Sequence, residues 1–241
     1  MPTAGAPAQL EITIASKAYP SPRGAAIEIV RDFSLRLGAG RFGALIGPSG
    51  CGKTTILRIA AGLVAFDGRV TLPGSGRLGV VFQEPRLLPW RTVEDNVRLV
   101  LDPAAPAPDL DALFGVLGLG EHRRHYPGEL SLGLARRVAI ARAFAISPDV
   151  LLLDEPFVSL DATTAQRLRA ELTALCARHR TTTLLVTHDL DEAIELADTL
   201  YFVSSGPARV VSEAPVTIAR GARDPEAVAR FRATLQQPAP A

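Results

Sequence analysis

The segment Gly47-Pro48-Ser49-Gly50-Cys51-Gly52-Lys53-Thr54 follows a short apolar run at 44–46 and precedes a helical pattern through Ile56, Leu57, Ile59, Ala60 and Leu63. It fits the pattern G-x-x-x-x-G-K-[ST], and a strand before it with a helix after it is the context that gives the pattern chemical meaning. Glycines let successive backbone N–H groups turn inward around phosphate oxygens, and the helix N-terminus adds the positive end of its dipole. On this reading Lys53 pairs the β and γ phosphates. Thr54 places its hydroxyl on Mg²⁺, whose octahedral shell takes few protein ligands beside phosphate and water. The competing reading is a Gly-rich turn with a fortuitous Lys-Thr. Of 26 Lys and Arg residues only Lys17 and Lys53 are lysine. A compact ammonium on a flexible stem enters a loop closed around phosphate where a planar guanidinium cannot.

A second half-site lies at 150–155. Four apolar residues, 150–153, predict a buried strand, and Asp154 and Glu155 emerge at its C-terminal end, where ligands bind in open α/β sheets. Asp154 is expected to hold Mg²⁺, and Glu155 to polarise an attacking water. Alone, an acidic pair followed by Pro156 reads as a solvated turn; beside the phosphate loop, the catalytic reading is the stronger one.

Residues 10–15 alternate apolar with polar as a strand does, and strand-length apolar runs recur at 78–82, 183–186 and 200–203, separated by helical patterns such as 162–178 and 191–197. Strands alternating with helices predict an α/β fold with a mostly parallel sheet covered on both faces. The stretch 84–147 differs, with helical patterns near 93–101, 110–117 and 132–146, and reads as a helical insertion. A proline-punctuated connector at 102–109 lies inside it. The ends, 1–8 and 236–241, read as loose tails.

Composition narrows the functions. The chain has 241 residues, 47% hydrophobic and 21% charged, enough for a real core, and its net charge is +1. No basic run interleaved with aromatics suggests nucleic-acid binding, so no nucleic-acid partner is expected. No run approaches the roughly 18 apolar residues of a membrane span, and the first ten residues lack a leader pattern, which predicts a soluble chain made without export. Two cysteines, Cys51 and Cys176, are too few for a disulfide framework. Cys51 at a helix N-terminus should favour thiolate unless apolar burial cancels that.

Several further motifs fall in a fixed order. Phe82-Gln83 follows a strand, Leu130-Ser131-Leu132-Gly133-Leu134 opens a helical pattern, Ser159-Leu160-Asp161 follows Asp154-Glu155-Pro156-Phe157, and Thr187-His188-Asp189 follows another strand. Together with the phosphate loop these resemble, over essentially the full length, the ATP-binding subunit of an ABC transporter. Their counterparts there are the Q-loop, the signature helix, the D-loop and the H-loop. The resemblance implies a P-loop NTPase (RecA-like) core at 9–83 and 148–235, with a small antiparallel N-terminal part and the helical signature subdomain at 84–147. All of it would form one domain.

The resemblance also implies roles. ATP would be held by residues 47–54 with Thr55, and Tyr19 resembles the aromatic that stacks on adenine, although a plain strand-edge tyrosine fits nearly as well. Gln83 would contact Mg²⁺ and water and sense the membrane partner, and His188 would donate to the γ phosphate. Ser131 is most simply an N-cap. In this family the same helix end points at the nucleotide of the other subunit, so Ser131 and Gly133 would act in trans within a homodimer. Leu132 stands where the signature has a glycine and Leu134 where it has a glutamine, which puts full turnover in question.

The function implied is an ATP-hydrolysing motor at the cytoplasmic face of the cell membrane, driving integral-membrane permease subunits and indirectly served by a solute-binding protein. The run Phe82 to Trp90 with Thr92-Val93-Glu94-Asp95-Asn96-Val97 resembles the nitrate, sulfonate and taurine importers. Trp90 then lies at the permease face, or else fills the insertion's core. The rival classes are a non-transport ABC ATPase, for which the long heptads or duplicated domain are missing, and a nucleotide-binding module that has lost turnover, which Glu155 and His188 oppose.

Overall fold

The computed structural model describes residues 9–21, 24, 26–104 and 108–235. The tails at 1–8 and 236–241, the connector's centre at 105–107 and residues 22–23 and 25 after Tyr19 lie outside the described residues. Strands β1 (Gln9–Tyr19), β2 (Ile27–Gly38) and β4 (Asp67–Thr71) form an antiparallel sheet in the order β2-β1-β4. A second sheet combines β3 (Phe42–Ile46), β5 (Leu78–Val81), β6 (Val150–Asp154), β7 (Thr182–Thr187), β8 (Thr199–Val203) and β9 (Val210–Pro215). Its order is β5-β6-β7-β3-β8-β9, parallel throughout except for β9.

The central strands read as unbroken apolar runs because both their faces are buried. Leu151, Leu153 and Leu185 enter one core, against the helices, while Val150, Leu152, Leu184 and Val186 enter the other, against the antiparallel sheet. Tyr201 on β8 ties the two sheets: its buried hydroxyl donates to the Arg36 carbonyl of β2 at 2.5 Å.

The sequence pattern reaches β1 but not β2, for a definite reason. Val30 and Phe33 are both buried although three residues apart. Asp32 between them has φ 49°, which turns the faces of the strand over while the pairs Ser16↔Arg31 and Ile14↔Phe33 keep their register. Strict alternation therefore fails where the strand is in fact continuous. In β4, Gly68 is obligatory, because a Cβ there would lie 2.1 Å from the Thr13 carbonyl oxygen.

Helix α1 (Lys53–Ala60) packs Ile56, Leu57 and Ile59 into the second core. It stops three residues short of the sequence pattern, before a turn in which Gly62 has φ 69°. Between β5 and β6 lie α2 (Val93–Arg98), α3 (Leu110–Val116) and α4 (Leu132–Phe144), with no strand among the described residues of 84–147. Asn96, fully buried, organises this region. It accepts from Leu88 N and donates to the carbonyls of Leu88, Arg91 and Thr92 at 3.0–3.1 Å. Removing the amide would take this partner from the Leu88 N–H and the Arg91 carbonyl, at a cost of roughly 2–4 kcal/mol, while the Leu88 and Thr92 carbonyls keep the backbone N–H groups of Arg91 and Asn96. It fixes the loop carrying Trp90, which is 69% exposed and so does not fill a core. Helices α5 (Ala162–His179), α6 (Leu190–Leu196) and α7 (Pro225–Thr234) complete the chain.

Candidate nucleotide site

Four motif loops follow four adjacent parallel strands. Gln83 follows β5, Asp154 ends β6, His188 follows β7, and the phosphate loop follows β3. The pairs Val81↔Leu153, Asp154↔Val186 and Ile46↔Thr187 put these strand ends at one level. Chemistry from four separate parts of the sequence therefore meets on one edge of the sheet.

The phosphate loop is shaped to receive an anion. Among the described α-helices only α1 lacks a side-chain N-cap, while the other six are capped by Thr92, Asp109, Ser131, Asp161, Asp189 and Asp224. The first turn of α1 also carries no acidic residue, so its N–H groups and dipole end are left for a ligand. Gly52, the cap residue, has φ 110°, and a Cβ there would lie 2.9 Å from Ile29 Cγ2. Lys53 is 5% exposed and its Nζ donates to the carbonyls of Gly47 at 2.7 Å and Pro48 at 2.8 Å. The third ammonium hydrogen has only the Cys51 Sγ, 4.0 Å away, as a partner.

Thr54 Oγ1 donates to Asp154 Oδ1 at 3.1 Å. Burial pushes the Asp154 carboxyl above its ordinary value, the Thr54 bond opposes that, and the neighbouring Glu155 charge adds to it. Glu155 has φ 45°, and its N–H donates to the Val186 carbonyl at 2.9 Å. Its Oε1 lies 3.2 Å from His188 Nδ1, which joins two residues separated widely in sequence.

An open cleft of 430 Å³ is lined by Tyr19, Ser49, Gly50, Gly52, Lys53, Thr54, Thr55, Gln83, Glu155 and Ile29. Tyr19 has the Lys17 ammonium over its ring at 4.6 Å from the centroid. Ser131 and Gly133 do not line this cleft. Ser131 caps α4, accepting from Leu134 N at 3.3 Å, and Gly133 is packed so that a Cβ would lie 2.8 Å from Thr164 Cγ2. Leu132 projects outward, 42% exposed, whereas Leu134 packs against the first core. Cys51 is 2% exposed, in the second core.

Two residues at the site were not legible in the sequence. Ile29 lies on β2, whose pattern Asp32 interrupts. Arg136 on α4 reaches the loop after Asp154, and its only sequence signal is a charge at a position facing the core.

Comparison with known proteins bears on the family and the fold. The family model described as ABC transporter matches residues 30–158. The chain is 44% identical over 240 residues to the aliphatic sulfonates import ATP-binding protein SsuB 2 of Burkholderia cenocepacia, covering 95% of this chain and 87% of that one. It is 40% identical over 219 residues to the nitrate import ATP-binding protein NrtD of Synechococcus elongatus, covering 85% and 79%. Among solved structures, the dimeric post-hydrolysis state of the ATP-binding cassette MJ0796 bound to ADP and Pi superposes with a TM-score of 0.76 at 26% identity. It covers 87% of this chain and all of that one.

Proposed function

The chain belongs to the ABC transporter family, and from that premise we propose that it is the ATP-hydrolysing subunit of an importer for a small anionic solute of the sulfonate or nitrate kind. The observation that carries the reading is the gathering of four motif loops at the ends of β5, β6, β7 and β3. The substrate class rests on the relatives, which are named for sulfonate and nitrate import.

In the mechanism, residues 47–54 with Thr55 hold the phosphates of ATP. The α1 N–H groups and the third hydrogen of Lys53 Nζ bind oxygens that gain charge during transfer. Tyr19, one face covered by Lys17, offers its other face to adenine. Glu155 accepts a proton from the attacking water, and His188, oriented by its contact with Glu155, donates toward the γ phosphate. The buried Asp154 carboxylate with the Thr54 hydroxyl is an oxygen-donor pair suited to Mg²⁺, with Gln83 at the cleft mouth as a further ligand. Mg²⁺ bound there would neutralise charge on the phosphates.

The whole chain acts as one domain, with 9–83 and 148–235 as its core and 84–147 as the signature subdomain. Two copies form the working unit, each offering Ser131 and Gly133 to the nucleotide held by the other. No helix among the described residues is long and apolar enough to cross a membrane. Permease subunits supply the channel, with the exposed Trp90 at their contact face, and the chain sits peripherally on the cytoplasmic side. A solute-binding protein delivers the cargo. Uptake tests this reading. Cells lacking the chain should lose import of a labelled sulfonate or of nitrate, and Lys53→Ala should fail to restore it. Full restoration by Lys53→Ala contradicts the reading.

A further inference from the structure

Helix α4 grips the loops on both sides of the cleft through arginines. Arg142 donates to the carbonyls of Pro85 at 2.8 Å and Arg86 at 2.9 Å, just beyond Gln83. Arg136 donates from Nη1 to the carbonyls of Glu155 at 3.1 Å and Pro156 at 2.5 Å, and from Nη2 to that of Val158 at 2.8 Å. It is 3% exposed, and among the described residues no carboxylate forms an ion pair with it.

A buried guanidinium whose partners are all carbonyls, and whose Nε has no hydrogen-bond partner among the described residues, is a costly way to tie down a loop. Its desolvation pulls the pKa below the ordinary arginine value, yet the group stays charged at any physiological pH. What the arrangement provides is a fixed direction. Nη1 holds two successive carbonyls, at 155 and 156, while Nη2 holds that of Val158, and so the fork sets the peptide plane that follows the Glu155 Cα. Glu155 has φ 45° and Ser159 has φ 64°, so the loop leaves the strand in a conformation that L-residues seldom keep unaided. A neutral side chain of the same length has no second planar donor edge to hold both Glu155 and Val158.

We propose that Arg136 is a positioning residue for hydrolysis, holding the backbone of Glu155 from the signature helix so that its carboxylate stays aimed at the cleft and at His188. This rests on the reading of Glu155 as the group that polarises water. It also links the two halves of the chain's work. Ser131, at the N-terminus of α4, faces the other subunit's nucleotide in that reading, and a shift of α4 on engaging it reaches Glu155 of the same chain through one side chain.

The test uses the full chain with Arg136→Met, Arg136→Lys, Glu155→Gln and the Arg136→Met/Glu155→Gln double variant. Turnover, KM for ATP and thermal unfolding are measured for each, with single-turnover phosphate release for slow variants. Arg136→Met should lower kcat about tenfold or more while KM changes less than about twofold. Arg136→Lys, whose ammonium still donates to carbonyls, should recover about threefold or more of that loss. In the Glu155→Gln background the Arg136→Met change should have no further effect. Unchanged kcat in Arg136→Met, or an equal loss in both Glu155 backgrounds, overturns the inference. Should Arg136→Met not fold, Arg136→Gln takes its place with the same criteria. Wild-type turnover in Glu155→Gln alone would overturn the reading of Glu155 itself, whereas an inactive Glu155→Gln beside a fully active Arg136→Met overturns only the role of Arg136.

Discussion

Thr54 Oγ1 donates to Asp154 Oδ1 across 3.1 Å, and this bond joins the first turn of α1 to the end of β6. It brings together the hydroxyl that follows the phosphate-loop lysine and a carboxylate that is 6% exposed.

That pairing separates stability from activity. A carboxyl whose folded pKa is raised contributes stability below its unfolded pKa and loses it as pH rises through the folded one. Once ionised, the Asp154 carboxylate is therefore a net cost that the nearby Arg58 and Lys53 charges only partly offset. Asp154→Asn, which keeps the Thr54 bond, should match or exceed the wild-type thermal midpoint in chelator while turnover falls about a hundredfold or more. Added Mg²⁺ with nucleotide should stabilise wild type more than the variant. A variant that is both less stable in chelator and still active contradicts the assignment.

Ser131→Ala removes an N-cap bond of 3.3 Å, worth about 1 kcal/mol or less to α4. If Ser131 also meets the other subunit's nucleotide, hydrolysis should fall about a hundredfold while the isolated chain binds nucleotide as before. Leu132→Gly reports on the departure from the signature. The Leu132 side chain is exposed on that face, so a gain in the turnover of the assembled transporter would mean that its bulk weakens the shared site. Brisk wild-type turnover indifferent to Ser131→Ala rules the shared site out. Gly133 is a poorer probe, since any side chain there collides with Thr164.

Glu192 on α6 gives a pH signature. Burial first, then the Asp189 carboxylate and more weakly Glu195, push its carboxyl up to about 7, against the opposing Arg169 charge and Thr187 hydroxyl. Its Oε1 has no hydrogen-bond partner among the described residues. The raised value means full benefit below the unfolded carboxyl pKa and progressive loss up to about 7. Glu192→Gln should leave stability unchanged near pH 4 and raise it by on the order of 2–3 kcal/mol at pH 8. Denaturant titrations at the two pH values check this, and a gain of equal size at both contradicts it.

Both thiols are shielded, with Cys51 2% and Cys176 4% exposed, and burial pushes Cys176 up to about 11. Maleimide should label neither in the native chain on the timescale on which it labels both in denaturant. Mass spectrometry reads the difference, and rapid native labelling of Cys51 would mean that the phosphate loop opens.

The parallel core and the phosphate loop were legible because each depends on local pattern: apolar runs at 150–153 and 183–186, and a glycine-rich turn ending in Lys53. β2 was not, because Asp32 reverses its faces in mid-strand. Arg136 escaped for a different reason. Its partners are backbone carbonyls at 155, 156 and 158, and carbonyls carry no sequence signature. The sequence leaves Trp90 open between core and surface; in the structure its ring is exposed, on a loop held by the Asn96 hydrogen bonds around Leu88 and Arg91 and by those of Arg142 to Pro85 and Arg86.

The central claim is that Glu155, held 3.2 Å from His188, polarises the attacking water. It is tested most directly by phosphate release from Glu155→Gln beside nucleotide affinity of the same variant. The account predicts affinity within about twofold of wild type and turnover lowered about a hundredfold or more, with the ATP-bound dimer accumulating on size-exclusion. Turnover equal to wild type would contradict it.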